Sequence, residues 1–267
     1  MDTNQAKFSA NPYNKNNFLI KETDVINIMK LFGIHDFKVN DIKLYQTAFI
    51  HKSYCPMKDY EEYTNDNNSL PLQKESYEKM EFLGDSILGY CVCKYIYQRY
   101  TLIYNQNEGF LTKLKNRLVC GEMLAQLSKN VSFDTFVVIS KHIEDNCDGR
   151  NNKNIFVDVF EAFIGALYLD KGDVNLIDTF LINIYETFVD FGEIILIDTN
   201  YKDQISRYFQ NTFNIYPKYE IIKSDNNKYI CNLFKDKERV STGNGTTKKG
   251  AEQNSSKNAL IKYGVLN

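Results

Sequence analysis

The chain has 267 residues, 43% hydrophobic and 14% aromatic, enough to build one large core or two smaller ones. Its net charge of −2 singles out no charged partner, and it lacks an apolar run of roughly 18 residues, so no membrane span is expected. The six Cys form no CxxC pair and the three His do not cluster with them, which argues against a zinc site and a disulfide framework and makes reduced thiols in the cytoplasm the expectation.

Residues 1–17 are polar and rich in Asn, without the apolar centre of a secretion signal, and are expected to form a disordered tail. Residues 18–37 predict an opening helix with a short sequel. Residues 41–52 carry apolar side chains at 42, 45, 48, 49 and 50, a helical pattern. Residues 56–74, with Asn and Asp at 65–68 and Pro71, predict an exposed loop. A long helix is predicted over 75–100. It places Glu78, Glu81 and Asp85 at i, i+3 and i+7, within an arc of roughly 60° on one face. Their neighbours Met80, Phe82, Leu83, Ile87 and Leu88 call for a core. Three acids on the edge of a core suit a cation site better than a surface.

Further helices are expected over 109–128, 155–169 and 174–189, with a polar loop at 145–154. Few strand signals precede residue 200. Beyond it the texture changes: a helix over 202–213, short strands over 218–223, 228–234 and 238–243, and a final helix over 247–263. Charge divides the chain at the same place. Residues 200–267 hold 12 Lys and Arg against 6 Asp and Glu, while the rest holds 20 against 28. An acidic larger part joined to a basic smaller part predicts two domains with different tasks.

The 155–169 helix is apolar except for Asp158 and Glu161, at i and i+3. Two carboxylates on one face of a buried helix repel each other and lose hydration unless a cation compensates. Gly165 and Ala166 would let another helix come close. Packing this helix on the 75–100 helix would bring Glu81, Asp85, Asp158 and Glu161 together. Four hard oxygen donors without His or Cys suit Mg²⁺, with Mn²⁺ as substitute, rather than zinc. Such a site serves phosphoryl-transfer chemistry.

Several runs together carry a family resemblance. EKMEFLGDS at 78–86 resembles the signature of ribonuclease III, and NIFVDVFEAFIGALYLDKG at 154–172 resembles the family's second acidic motif. TAFIHKSY at 47–54 is similar to its early helix, ending in a His-x-Ser pattern at His51 and Ser53. KLKNRLV at 113–119 is similar to its middle helix, and residues 243–260 resemble the end of a double-stranded RNA-binding domain. The resemblance spans about residues 19–267 in the family's domain order. It implies a mostly α architecture: an all-helical catalytic domain over 18–195, then a small α-β-β-β-α RNA-binding domain over 200–267.

The resemblance also implies an activity, a Mg²⁺-dependent endoribonuclease that cuts double-stranded RNA and leaves 5′-phosphate and 3′-hydroxyl ends with short overhangs. The metal carboxylates fall on Glu81, Asp85, Asp158 and Glu161, with Glu78, Asp85 and Glu161 as the catalytic acids. Glu108 matches an accessory acid near a dimer interface, and Phe82 an aromatic of dimer packing, so a homodimer is expected. Read without the family, Glu108 is a first-turn acid favoured by the helix dipole and Phe82 is ordinary core. His51 is expected to be structural, and Cys91 and Cys93 to be core thiols on different faces.

In the RNA-binding part, Lys248 and Lys249 open the final helix, where phosphate is already favoured. Gly243 and Gly245 are expected to permit a tight turn before it, capped by Thr246 or Thr247. The first helix would offer Gln204, Ser206, Arg207 and Gln210 to ribose hydroxyls. Two departures stand out. Arg207 falls where the family often has Glu, and the loop at 224–228 lacks the family's Gly, Pro and His. The 54–76 stretch is also longer than in compact bacterial members. Two rivals of other classes remain, a duplex-RNA binder that does not cleave and a helical phosphohydrolase of small substrates. The four intact acids oppose the first, and the basic C-terminal domain opposes the second.

Overall fold

The computed structural model describes residues 11–66, 68–196, 200–224 and 228–266. They form two compact units that divide between Phe191 and Gly192. The division falls slightly ahead of the expected end of the first domain at 195.

The first unit is helical: α1 (Glu22–Leu31), α2 (Ile42–Thr47), α3 (Glu78–Ile96), α4 (Glu108–Leu118), α5 (Gly121–Asn130), α6 (Lys141–Asn146), α7 (Lys153–Lys171) and α8 (Val174–Phe188). A further helix, α9 (Phe191–Leu196), begins where the unit ends. Helix α7 is the centre. Asn152 caps its start by accepting from the Asn154 amide, and Gly172, at φ +63°, ends it in the left-handed conformation that glycine adopts without strain. Its Phe163 ring packs 4.6 Å from Phe133, 5.6 Å from Tyr45 and 5.7 Å from Phe180. Each such fully buried aromatic contributes about 1.5–3 kcal/mol. Asp170, a buried acid on the same helix, is satisfied by the amides of Asn40 and Asp41 and by the Tyr45 hydroxyl.

Helices α3 and α7 cross at two glycines. A Cβ on Gly84 would lie 1.7 Å from the Glu161 carbonyl oxygen, and one on Gly165 would lie 2.2 Å from the Met80 carbonyl oxygen. Gly165 acts as expected; Gly84, its counterpart, was not singled out in the sequence. The long helix expected to reach residue 100 gives way at Tyr97–Thr101 to a π-helical turn, where Arg99 lies over the Tyr95, Tyr100 and Phe191 rings and pairs with Glu186.

Several expectations are corrected. The single helix over 109–128 is two, because the chain turns extended at Cys120 before Gly121 starts α5. The polar run at 145–154 is partly helical, since α6 reaches Asn146 with Ser140 as its cap. The 56–74 stretch is not a free loop: Leu70 and Leu72 pack on Ile50, Tyr54 and Val138, and the Tyr54 hydroxyl donates to the Leu70 carbonyl. Of the expected tail, residues 1–10 lie outside the described residues. Asn14 and Asn17 are buried and donate to the Ile139 carbonyl, which gives these polar side chains partners in the fold. Cys93 is exposed rather than a core thiol, while Cys91 is buried. No helix among the described residues is long and apolar enough to cross a membrane.

In the second unit, α10 (Tyr201–Phe213) and α11 (Lys248–Lys262) pack on one face of an antiparallel sheet of β1 (Lys218–Lys223), β2 (Tyr229–Lys235) and β3 (Glu238–Gly245), in the order β1-β2-β3. Ile205, Phe209, Leu233, Val240, Ala259 and Leu260 form its core. Gly243 and Gly245 belong to β3, not to a turn. A Cβ on either would lie 2.0 Å from the Ser255 amide nitrogen or 2.4 Å from that of Ala251, so glycine lets α11 settle on the strand. The α-β-β-β-α order is the expected one.

Candidate active site and RNA-binding surface

The α3–α7 crossing places the acids. Glu81 and Asp85 lie within one turn of Gly84, and Glu161 sits at the crossing itself, with Asp158 a turn earlier on α7. Electrostatic repulsion couples Glu161 to the other three. Burial, then Asp85, Glu81 and Asp158, push the Glu161 carboxyl up to about 8. Burial, then Asp158 and Glu78, raise that of Glu81, and Asp158 is also raised, burial first. Two helices packed backbone to backbone therefore hold four like charges at one partly buried rim.

The donor chemistry fits a hard divalent cation: four carboxylates with no sulfur or imidazole, held where repulsion favours a compensating charge. The spacing is not that of a closed cage. Among the described residues no three His, Cys, Asp or Glu side chains converge tightly enough to hold an ion as placed. Ligation therefore requires side-chain rotation on fixed backbones.

Glu78 stands at the exposed edge, 3.2 Å from Lys52 Nζ. Glu108 opens α4 and accepts from the Thr112 hydroxyl. The helix-start reading describes its place in one chain. Phe82, expected in the core, is 80% exposed. Tyr90 on α3 and Tyr97, at the start of the π-helical turn, follow it at two-turn spacing and are exposed too.

Two partners of the site were not anticipated. Tyr77, directly ahead of α3, donates its hydroxyl to Asp158 Oδ2 at 2.9 Å. A buried tyrosine beside an acid run needs a polar partner, and that was the available signal. Lys52 holds Glu78 and offsets part of the upward push that burial gives the Glu81 and Asp158 carboxyls, which stay raised. The His-x-Ser pattern is structural, as expected: the Ser53 amide donates to His51 Nδ1 at 3.2 Å, and the Ser53 hydroxyl accepts from the Ser140 amide. Burial and Lys52 hold the His51 pKa down.

In the second unit Thr247 caps α11 by accepting from the Gly250 amide at 3.0 Å, which settles the choice between Thr246 and Thr247. Lys248 and Lys249 are exposed on the first turn. On α10, Arg207 and Gln210 are exposed, and Arg207 pairs with Asp203 at 3.1 Å; Gln204 is half-buried. The departure at 225–227 lies outside the described residues.

Comparison with known proteins agrees with this division. Residues 41–187 match the family described as Ribonuclease-III-like, and residues 201–263 match the double-stranded RNA binding motif. The chain is 31% identical to ribonuclease 3 of Streptococcus gordonii over 236 residues, covering 87% of this chain and 94% of that one. It is 34% identical to the probable ribonuclease 3 of Acanthamoeba polyphaga mimivirus over 237 residues, which is 86% of this chain and 39% of that much longer one. The solved nuclease domain of ribonuclease III from Campylobacter jejuni aligns with a TM-score of 0.47 and 24% identity, over 62% of this chain and 97% of that one.

Proposed function

Because the chain belongs to the ribonuclease III family and is an endoribonuclease of that type with a double-stranded RNA-binding motif, we propose that it hydrolyses phosphodiester bonds in duplex RNA with a divalent cation held by Glu81, Asp85, Asp158 and Glu161. Mg²⁺ is the proposed ion, with Mn²⁺ as substitute. The observation that carries this reading is the crossing of α3 and α7 at Gly84 and Gly165, which gathers the four acids at one partly buried rim, where burial and the three other acids push the Glu161 carboxyl up to about 8. Such crowding is unfavourable unless positive charge arrives.

A divalent ion at such a site activates water and stabilises the charge that develops on phosphorus oxygens and leaving group. The chain's own contribution is placement. The glycine crossing fixes the four acids on two helices, and Tyr77 holds Asp158. Glu78, paired with Lys52 at the exposed edge, is proposed as the outer carboxylate that helps take the proton from the attacking water. In the hydrolysis a water oxygen bonds to phosphorus and the P–O3′ bond breaks. The leaving oxygen takes a proton, giving 5′-phosphate and 3′-hydroxyl ends.

The C-terminal unit supplies duplex affinity through Lys248 and Lys249 on phosphate and through Gln204, Arg207 and Gln210 on the minor groove. Two copies are proposed to pair through the exposed stripe of Phe82 and Tyr90 on α3 and Tyr97 just beyond it, so that each cuts one strand, with Glu108 nearby as accessory acid. The free cysteines suit the reducing cytoplasm.

The test is incubation of end-labelled duplex RNA with Mg²⁺, with EDTA, and with the Glu161→Ala and Asp85→Ala variants. Wild type should cleave with Mg²⁺ alone and both variants should bind without cutting. Binding without cleavage by the wild type would leave a sequestering protein. Hydrolysis of free nucleotides with none of duplex would leave a small-substrate phosphohydrolase.

A further inference from the structure

Tyr77 is assigned no part by the resemblance or by the comparisons, yet it is held at three points. Its backbone amide donates to the Ile50 carbonyl at 2.9 Å, and its carbonyl accepts from the Met80 and Glu81 amides at 2.8 and 2.9 Å, starting α3. Its hydroxyl donates to Asp158 Oδ2 at 2.9 Å. The ring is only 2% exposed and lies 5.8 Å from that of His51. The hydroxyl bond joins positions 81 residues apart in sequence. It runs from the start of one acid-bearing helix to an acid on the other.

We propose that Tyr77 is a positioning residue of the cation site: its hydroxyl fixes the Asp158 carboxylate relative to Glu81, so that the two helices present their acids to one ion. This rests on the metal-site reading above. The physical case has two parts. The site lacks ready-made ligand spacing, so side chains must turn to ligate, and Asp158, held by Tyr77, is the fixed point against which the others turn. A carboxylate already tied to a buried, backbone-anchored phenol loses less freedom on ligation than a free one. Hydrogen bonds from the surroundings to metal ligands typically change affinity by about 10–100-fold.

Lys52 is the alternative brace and is weaker. Its side chain is 63% exposed and its ion pair is with Glu78, the outermost acid, while on Glu81 and Asp158 it acts only through space. Exposed pairs of that kind contribute little to holding geometry.

The test uses the full chain and Tyr77→Phe, which keeps the ring and removes only the donor. Mn²⁺ binding to metal-stripped protein is followed by the electron paramagnetic resonance signal of free Mn²⁺. Melting temperature is measured in EDTA, and cleavage of duplex RNA over a range of Mg²⁺. The expected result is a Mn²⁺ dissociation constant weakened about tenfold. The half-saturating Mg²⁺ should rise in proportion, while KM for RNA stays unchanged and kcat approaches wild type at saturating Mg²⁺. A purely structural tyrosine would instead lower the EDTA melting temperature and leave Mn²⁺ affinity alone, and that outcome overturns the proposal. Equal Mn²⁺ affinity in both proteins overturns it as well. Failure of the metal reading itself looks different: the wild type would then bind Mn²⁺ no better than a Glu161→Ala, Asp85→Ala double variant.

Discussion

Replacing Glu161 with Gln should stabilise the metal-free protein while abolishing its cleavage. The folded chain holds the Glu161 carboxyl at about 8, against an ordinary value of 4.5. Below 4.5 both folded and unfolded chains keep the proton, and the side chain costs folding nothing. As pH rises from 4.5 to about 8, the unfolded chain ionises while the folded chain resists, so stability falls by about 1.36 kcal/mol per pH unit. At pH 8 the ceiling is therefore roughly 4–5 kcal/mol. The site opens to solvent on one side, and screening there reduces the penalty to about 1–2 kcal/mol. Gln has nearly the shape of Glu and carries no charge to desolvate. For a unit of this size about 1–2 kcal/mol corresponds to a rise in Tm of roughly 2–8 °C. The assay is thermal unfolding followed by circular dichroism in EDTA at pH 5, 6, 7 and 8. The variant should unfold higher at pH 8, with the gap shrinking towards pH 5. Saturating Mg²⁺ should raise the wild type more than the variant, since only binding to the folded state stabilises. A variant no more stable than wild type at pH 8, or a gap unchanged down to pH 5, refutes the crowding argument.

Gly84→Ala should cost about 3 kcal/mol or more and remove cleavage, because the added carbon meets a helix carbonyl at 1.7 Å and neither backbone can yield cheaply; a urea midpoint equal to wild type contradicts the crossing. Phe82→Glu should convert the proposed dimer to monomer in analytical ultracentrifugation, since it puts charge on the exposed α3 stripe; an unchanged mass removes that stripe from the interface. Lys248→Ala with Lys249→Ala should weaken duplex binding equally across RNA sequences and flatten the salt dependence by about two phosphate contacts. An unchanged slope places the phosphate contacts elsewhere.

The acids were legible because carboxylates in apolar helices violate the usual partition of residues, and a violation at helical spacing marks a face. The α-β-β-β-α unit was legible because its strands are short, alternating and bounded by polar turns. What stayed hidden depends on contacts distant in sequence. Gly84 looks like an ordinary helical glycine until α7 is laid against it. Gly243 and Gly245 suggest a turn until α11 is seen to rest on them. Leu70 and Leu72 sit in a polar stretch, and only the Ile50–Val138 bridge region gives them somewhere to pack. Phe82 failed in the other direction: hydrophobicity alone predicts burial, and α3 has a face that α7 does not cover.

These hidden contacts share a consequence. The glycine pair draws α3 and α7 together closely enough that the acids cannot avoid one another, and the strain is electrostatic rather than steric. A stiff aromatic core around Phe163 and Phe133 supports the crossing, so the repulsion cannot be relieved by moving the helices apart. Relief is available through protonation, rotation of side chains, or a cation. Tyr77 narrows the second route by fixing Asp158, and the solvent side leaves the third open. On this view the fold does not hold the acids in place despite their repulsion. It makes the repulsion a source of affinity for the proposed cation, and any substitution that loosens the crossing should weaken that binding even where every carboxylate is kept.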